Sequence, residues 1–506
     1  MLAKVHSGTV QGVEGLSVEV EVDLALGLPV FMTVGLPDSS VRESRDRVKA
    51  AIKNSGYEFP PRKITVNLAP ADVKKAGAGF DLPIALGILA AAELFPQERL
   101  KDYCIFGELS LDGAVRTVKG ILPLCLNAKQ CGMKGILVPQ ENKNEAAVVN
   151  GIDVIAVSSL HQAVEFLAQD TDIVPVQTNH NDLLLESVVY DVDFHDVKGQ
   201  EHVKRALEIA ASGGHNISLA GPPGSGKTML AKRLATILPE MSFDEALETT
   251  KIYSIAGELP HQSPLIASRP FRAPHHTVTD AGLIGGGAIP RPGEVSMAHN
   301  GVLFLDELPE FKKHVLEVLR QPLEAGNVTI TRANQSMNFP SRFLLVVASN
   351  PCPCGYFGTK IKDCNCTSVQ IQRYTSKVSG PLLDRIDLHL EVGAVAFKDI
   401  TDKRRGESSA TIKKRVNCCR EIQESRYKKY RKIHCNAQMG AREIEKYCVL
   451  DSSSLSLLEK SVEKLGLSAR AYHRILKIAR TIADMDGKDD LGLSHVAEAV
   501  QYRRSG

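Results

Sequence analysis

The chain has 506 residues, a formal net charge of +2, and 24% charged against 43% hydrophobic residues. Such a length implies two or three domains with cores of their own, and the near-balance of charge excludes a polycation that coats nucleic acid with its whole surface. No leader-like segment opens the chain, its longest apolar run (82–92) falls short of the about 20 residues that span a bilayer, and its odd count of 11 cysteines suits a reducing cytoplasm better than a disulfide framework.

Residues 1–170 alternate strand-like runs at 17–22 and 63–68 with helical ones at 40–53 and 81–95. The stretch Ser17-Val18-Glu19-Val20-Glu21-Val22 reads as a strand. The motif Gly107-Glu108-Leu109-Ser110-Leu111-Asp112-Gly113-Ala114-Val115, with Gly120 and Val138-Pro139-Gln140-Glu141-Asn142 after it, resembles the Lon protease domain. The resemblance implies an α+β, S5-like fold. Lon-type cleavage needs a serine nucleophile and a lysine base, but Asp81 stands at the serine position and the lysine position falls near Leu122. A carboxylate without a base does not perform that acyl transfer, so a catalytically inactive tier or binding surface is expected, as in RadA-type Lon-like domains. Lys74, Lys75 and Lys119 lie nearby in sequence, and loop lysines are expected to be solvated.

Residues 171–190 are polar, lack periodicity and read as a linker. From 191 to 395, strands and helices alternate as in a parallel sheet covered on both faces. Gly221-Pro222-Pro223-Gly224-Ser225-Gly226-Lys227-Thr228 fits the phosphate-binding loop, between a strand-like run at 215–220 and a helical one at 229–235. Its glycines let successive amides converge on phosphates, Lys227 adds charge, and the Thr228 hydroxyl is placed to ligate Mg²⁺. Gly301-Val302-Leu303-Phe304-Leu305-Asp306-Glu307 is an apolar strand ending in two acids: Asp306 to hold Mg²⁺ through water, and Glu307 to polarise the attacking water. A second such strand, 343–349, delivers Asn350, which alone would be an ordinary turn residue. Arg385 sits in a helix-to-strand corner, and Ser468-Ala469-Arg470 opens a basic helix.

Cys352-x-Cys354 and Cys364-x-Cys366 place four of the cysteines on one Gly/Pro-bearing loop. Two close pairs suit a tetrahedral Zn²⁺ site, although the one-residue spacing is tighter than usual and free thiols or a redox pair are the alternatives. Residues 396–506 read helical, with Asp451 and Ser494 as N-caps and Leu465-Gly466 as a stop. Residues 401–432 carry 12 Lys or Arg against 4 acids. Lys413, Lys414, Arg415, Arg420, Arg426, Lys428, Lys429, Arg431 and Lys432 are candidates for phosphate contacts, the alternative being a solvated helical face. Arg332 on a hairpin at 328–338, Arg291 at the end of a Gly-rich segment at 272–291, and Lys312 between the two are further candidates. His275 and His276 read as structural histidines.

The order of these motifs resembles an AAA+ ATPase of the branch containing magnesium chelatase and the MCM helicases: a P-loop parallel-sheet core with a C-terminal helical lid. By that likeness Asn350 matches sensor 1, Arg385 an arginine finger given in trans, Arg470 sensor 2, and 194–200 the segment against the adenine. Phe271-Arg272-Ala273-Pro274-His275-His276-Thr277, Gly293-Glu294-Val295-Ser296-Met297-Ala298-His299-Asn300-Gly301 and Asn350-Pro351-Cys352-Pro353-Cys354-Gly355 are similar to the ComM/YifB family over essentially the whole chain. The family likeness implies ATP and Mg²⁺ as cofactors and a cytoplasmic hexameric ring. It also implies action on single-stranded and branched DNA, as a branch-migration helicase in recombination during natural transformation. A chelatase-type ATPase for metal insertion and a protein-remodelling AAA+ chaperone are the alternatives.

Overall fold

The computed structural model describes the chain except residues 76, 179–189, 261–262, 288–289, 333–334, 360–361, 396–404, 431–432 and 504–506, and gives Arg332 and Gln335 by their backbone alone. It forms two compact units, Met1–Ser187 with Ala246–Ala267, and Val188–Glu245 with Ser268–Gly506. Residues 246–267, read from sequence as part of the 191–395 core, thus cluster with the N-terminal unit. Most of the proposed 171–190 linker lies outside the described residues.

The N-terminal unit is a seven-stranded sheet in the order β3-β4-β2-β1-β5-β6-β7, with β1 Leu2–Gln11, β2 Glu14–Ala25, β3 Phe31–Val34, β4 Lys63–Ala69, β5 Tyr103–Ile105, β6 Gly135–Pro139 and β7 Asp153–Val157. β1 and β2 pair antiparallel from Leu2 opposite Asp23 to Gln11 opposite Glu14. Val18, Val20, Val22 and Leu24 are all buried, so a slip of one residue would turn the whole set to solvent; this fixes the register. Lys4 bridges Glu19 and Glu21 on the outer face at 2.7 and 3.1 Å. Helix α1 (Ser39–Asn54) begins at Asp38, whose Oδ1 accepts the Val41 N–H at 2.9 Å. Helix α2 (Asp81–Ala91) is buried on every side, and Gly87 lets it approach β2, where a Cβ would lie 2.6 Å from Val22 Cγ2.

In the second unit a parallel sheet runs in the order β9-β10-β13-β8-β14, with β8 Ile217–Ala220, β9 Phe271–Arg272, β10 Val302–Leu305, β13 Leu344–Ser349 and β14 Leu388–Glu391. The hairpin β11 (Asn327–Arg332) and β12 (Gln335–Pro340) precedes β13. β10 is apolar and buried at every position, the pattern of a parallel strand covered on both faces. Helices α3 (Glu201–Gly213) and α4 (Lys227–Ile237) share one hydrophobic core with the sheet and with the C-terminal helices α5 (Ser409–Tyr427), α6 (Ser452–Leu465), α7 (Ala469–Met485) and α8 (Leu493–Gln501). Asp451 caps α6, Gly466 ends it at φ 60°, and Ser468 caps α7. Ser494 is no cap: α8 starts at Leu493 behind Gly492, so Ser494 lies inside the helix.

Candidate functional site

The loop 221–226 leaves the C-terminal end of β8 between β13 and β14, at the sheet edge where parallel α/β folds bind ligands. Gly224 and Gly226 take φ 76° and 89°, a backbone region that side chains resist. A Cβ on Gly221 would stand 2.2 Å from Val392 O, so only glycine fits there. Lys227 opens α4, and its Nζ donates to Gly221 O at 2.7 Å, Pro222 O at 2.9 Å and Asn350 Oδ1 at 3.2 Å. Burial lowers the Lys227 ammonium from its ordinary value, against the pull of Asp306 and Glu307. The Ser225 hydroxyl is buried and, among the described residues, has no hydrogen-bond partner. A positive side chain, a helix N-terminus and a polar cradle on one loop suit a polyphosphate.

Strand β10 delivers Asp306 to the same edge. Thr228 Oγ1 donates to Asp306 Oδ2 at 2.7 Å, and Asp306 Oδ1 accepts the Glu307 N–H at 2.9 Å. A hydroxyl beside a carboxylate is the oxygen donor set that Mg²⁺ prefers. Glu307 holds φ 52° with its side chain half exposed, a strained backbone of the kind that gathers at functional sites. Gly221–Thr228, Asp306 and Asn350 are therefore joined by hydrogen bonds, with Glu307 adjoining.

In the sequence His276 has the look of a structural histidine. Its ring lies beside Glu307, with Nδ1 3.7 Å from Glu307 Oε2 and the His275 ring tilted against it at 4.1 Å. Its position just after β9, the strand beside β10, was the available signal. Gln200 likewise carries no signal of its own in the sequence. Its Nε2 donates to Ser225 O at 3.0 Å and Gly393 O at 2.9 Å, tying the 194–200 segment to the phosphate loop. Phe194 of that segment is a core residue.

Arg385 and Arg470 stand apart from this cluster. Arg385 is mostly buried, donating to Glu324 and to Pro381 O. Next to it Asp387 is held by Arg474, with His215 Nδ1 3.4 Å away. Burial raises the Asp387 carboxyl, but Arg474 and then His215 overcome it and leave the carboxyl well below its usual range. Arg470 is exposed on the first turn of α7.

The four loop cysteines converge. Cys352, Cys354 and Cys364 sulfurs lie 3.3, 3.6 and 3.5 Å from one another, and with Cys366 all four fall within 4.8 Å. A metal with four thiolates at about 2.3 Å requires sulfur separations of about 3.8 Å, which these approach and a disulfide does not. The Phe357 N–H donates to Cys352 Sγ at 3.3 Å and the Cys366 N–H to Cys364 Sγ at 3.5 Å. The Tyr356 N–H, with the Cys352 thiol, pulls the Cys354 thiol down to about 6.

The basic stretch on α5 is less available than the sequence implied. Arg415 pairs with Glu208 and Glu407, Arg420 donates to Ala211 O and His434 O, Arg426 binds Asp484, and Lys413 lies 3.1 Å from Glu240. These cations serve the packing of α5 against neighbouring elements. Lys414, Lys428 and Lys429 are exposed, as are Lys312 and Arg291. Arg431, Lys432 and the Arg332 side chain lie outside the described residues.

In the N-terminal unit, Asp81 is buried and paired with Arg47 at 2.8 and 3.1 Å. Burial raises its carboxyl, with Arg47 opposing. Leu122 is a buried residue whose N–H donates to Glu145 Oε1 at 2.9 Å. Lys75, expected to be solvated, is fully buried and donates to Pro70 O, and burial lowers its ammonium. Lys74 and Lys119 are exposed.

The sheet order and the residues gathered at its edge are those of a P-loop ATPase of the AAA+ class. The family model described as "Magnesium chelatase, subunit ChlI" matches residues 193–400, "Subunit ChlI of Mg-chelatase" matches 20–142, and "Magnesium chelatase, subunit ChlI C-terminal" matches 406–503. Competence protein ComM of Haemophilus influenzae is 46% identical over 510 residues, covering 99% of this chain and 97% of that protein. The uncharacterized protein YifB of Escherichia coli is 44% identical over 514 residues, with the same coverage of 99% and 97%. The magnesium-chelatase 38 kDa subunit of Rhodobacter capsulatus is 28% identical over 177 residues, 31% of this chain and 50% of that protein. The chain belongs to the ComM/YifB family of magnesium-chelatase-like AAA+ ATPases. Among the described residues no helix is long and apolar enough to cross a membrane.

Proposed function

We propose that this protein is a cytoplasmic, ring-forming ATPase that drives movement on single-stranded and branched DNA. Its reaction would be branch migration in recombination of incoming DNA during competence. The observation that carries the reading is the hydrogen-bonded cluster of Lys227, Asn350, Thr228 and Asp306 in a chain that matches a competence protein over 99% of its length. ATP would be held by 221–228, with Mg²⁺ at Thr228 and Asp306 supplying charge neutralisation on the phosphates. Glu307 accepts a proton from the attacking water, Asn350 orients it, and Lys227 steadies the charge that develops. Arg385 from a neighbouring subunit and Arg470 of the lid complete the positive surround. The four-cysteine loop is read as a structural Zn²⁺ site. Exposed Lys312, Arg291, Lys414, Lys428 and Lys429 provide cations for DNA phosphates.

The chelatase alternative is supported more weakly, by a relative that aligns with 31% of the chain. ATP hydrolysis measured with and without single-stranded DNA, together with displacement of a four-way junction, separates the readings. Stimulation and movement support the motor; hydrolysis indifferent to DNA favours the chelatase or protein-remodelling alternatives.

A further inference from the structure

The four-cysteine loop is built onto the phosphate loop. Cys352 follows Asn350 by two residues and is fully buried, and the chain then turns through Gly355 at φ 84°. The Gly355 N–H closes that turn on Cys352 O at 3.0 Å. The other side of Gly355 lies flush on the phosphate loop: a Cβ there would stand 2.5 Å from Pro223 Cδ and 3.8 Å from Asn350 Cγ. Two residues on, the Phe357 N–H points back to Cys352 Sγ. One short turn therefore shows sulfur to the cysteine cluster and bare backbone to Pro223.

Four sulfurs at these separations do not hold such a turn by themselves. As thiolates they repel at close range, and as thiols they form only weak hydrogen bonds. A soft, tetrahedral divalent cation removes the repulsion and fixes all four positions. Pro222 and Pro223 have no backbone N–H and stiff φ angles, so a displacement at Pro223 passes into the loop that must match the phosphates. Resting on the proposed metal reading, we infer that a zinc-class cation at Cys352, Cys354, Cys364 and Cys366 braces the phosphate loop through the Gly355–Pro223 contact. Its occupancy thereby governs nucleotide affinity.

The test measures zinc content and binding of a fluorescent ATP analogue on the full-length chain. Zinc bound to the reduced wild-type protein is expected, and its absence overturns the inference together with the metal reading. Cys364→Ser should lose zinc, and Gly355→Ala should keep it. Both should bind the analogue roughly tenfold or more weakly, the scale on which small misplacements act. Wild-type affinity in a folded Cys364→Ser chain that lacks zinc, or in Gly355→Ala, overturns the brace and leaves the ATPase reading standing. Should Cys364→Ser not fold, zinc is stripped from the wild type with a mercurial and restored with thiol and zinc. Affinity that falls and returns supports the brace, and unchanged affinity overturns it. A zinc-loaded wild type that binds no analogue contradicts the ATPase reading itself.

Discussion

His276 Nδ1 lies 3.7 Å from Glu307 Oε2, across the junction of β9 and β10. A carboxylate that activates water must be aimed, and Glu307, half exposed, has the His276 ring within reach to aim it. His276→Ala is expected to lower kcat for ATP about tenfold while KM changes little, the signature of an interaction made in the transition state. Steady-state hydrolysis measures both, and an unchanged kcat removes His276 from the site.

The Thr228–Asp306 hydrogen bond sets two donors where a magnesium ion would sit. Thr228→Val keeps the volume and removes the hydroxyl. It should weaken binding of Mg–ATP by about 10-fold, or about 1.4 kcal/mol, while leaving metal-free ATP binding nearly unchanged. Titration calorimetry with and without magnesium distinguishes this from general damage to the loop.

Arg385 is paired within its own chain to Glu324. For Arg385 to act across a subunit boundary, that pair must open on assembly. Arg385→Ala should bind ATP normally and lose about 10³-fold or more in turnover. Mixing it with Glu307→Gln should restore hydrolysis, because one neighbour then supplies the arginine and the other the glutamate. No recovery on mixing, in rings shown to contain both chains, argues for a role confined to one subunit.

Asp387 ties the β14 end of the sheet to α7 through Arg474. Its folded carboxyl is depressed, so its contribution to stability is fully present above the unfolded value of about 3.9 and is lost as pH falls through the folded value. Asp387→Asn should cost about 3 kcal/mol at pH 7, because Arg474 loses its buried partner, and should flatten the acid limb of the stability curve. Urea unfolding at pH 7 and at acid pH tests both.

The phosphate loop and the Asp306-Glu307 pair were legible because their chemistry sits on contiguous residues between apolar strands. The cysteine pairs were legible for the same reason. What escaped depends on partners far along the chain. The cations of Arg415 and Arg426 are answered by Glu208 on α3 and Asp484 on α7, which no local pattern reveals. Lys75 reads as a loop lysine, yet its side chain is enclosed and its ammonium meets a backbone carbonyl. Residues 246–267 join the N-terminal unit through contacts such as Ser254 Oγ with Glu145 Oε1 at 2.5 Å, and neither residue carries a motif.

The central claim is tested most directly by ATP hydrolysis of the purified chain over a salt series, with no DNA, with single-stranded DNA and with a four-way junction. Turnover should rise with either DNA, the stimulation should fall steeply as salt increases, and Lys227→Ala should abolish it. Robust hydrolysis that is identical with and without DNA at the lowest salt, with no DNA bound, would contradict the account.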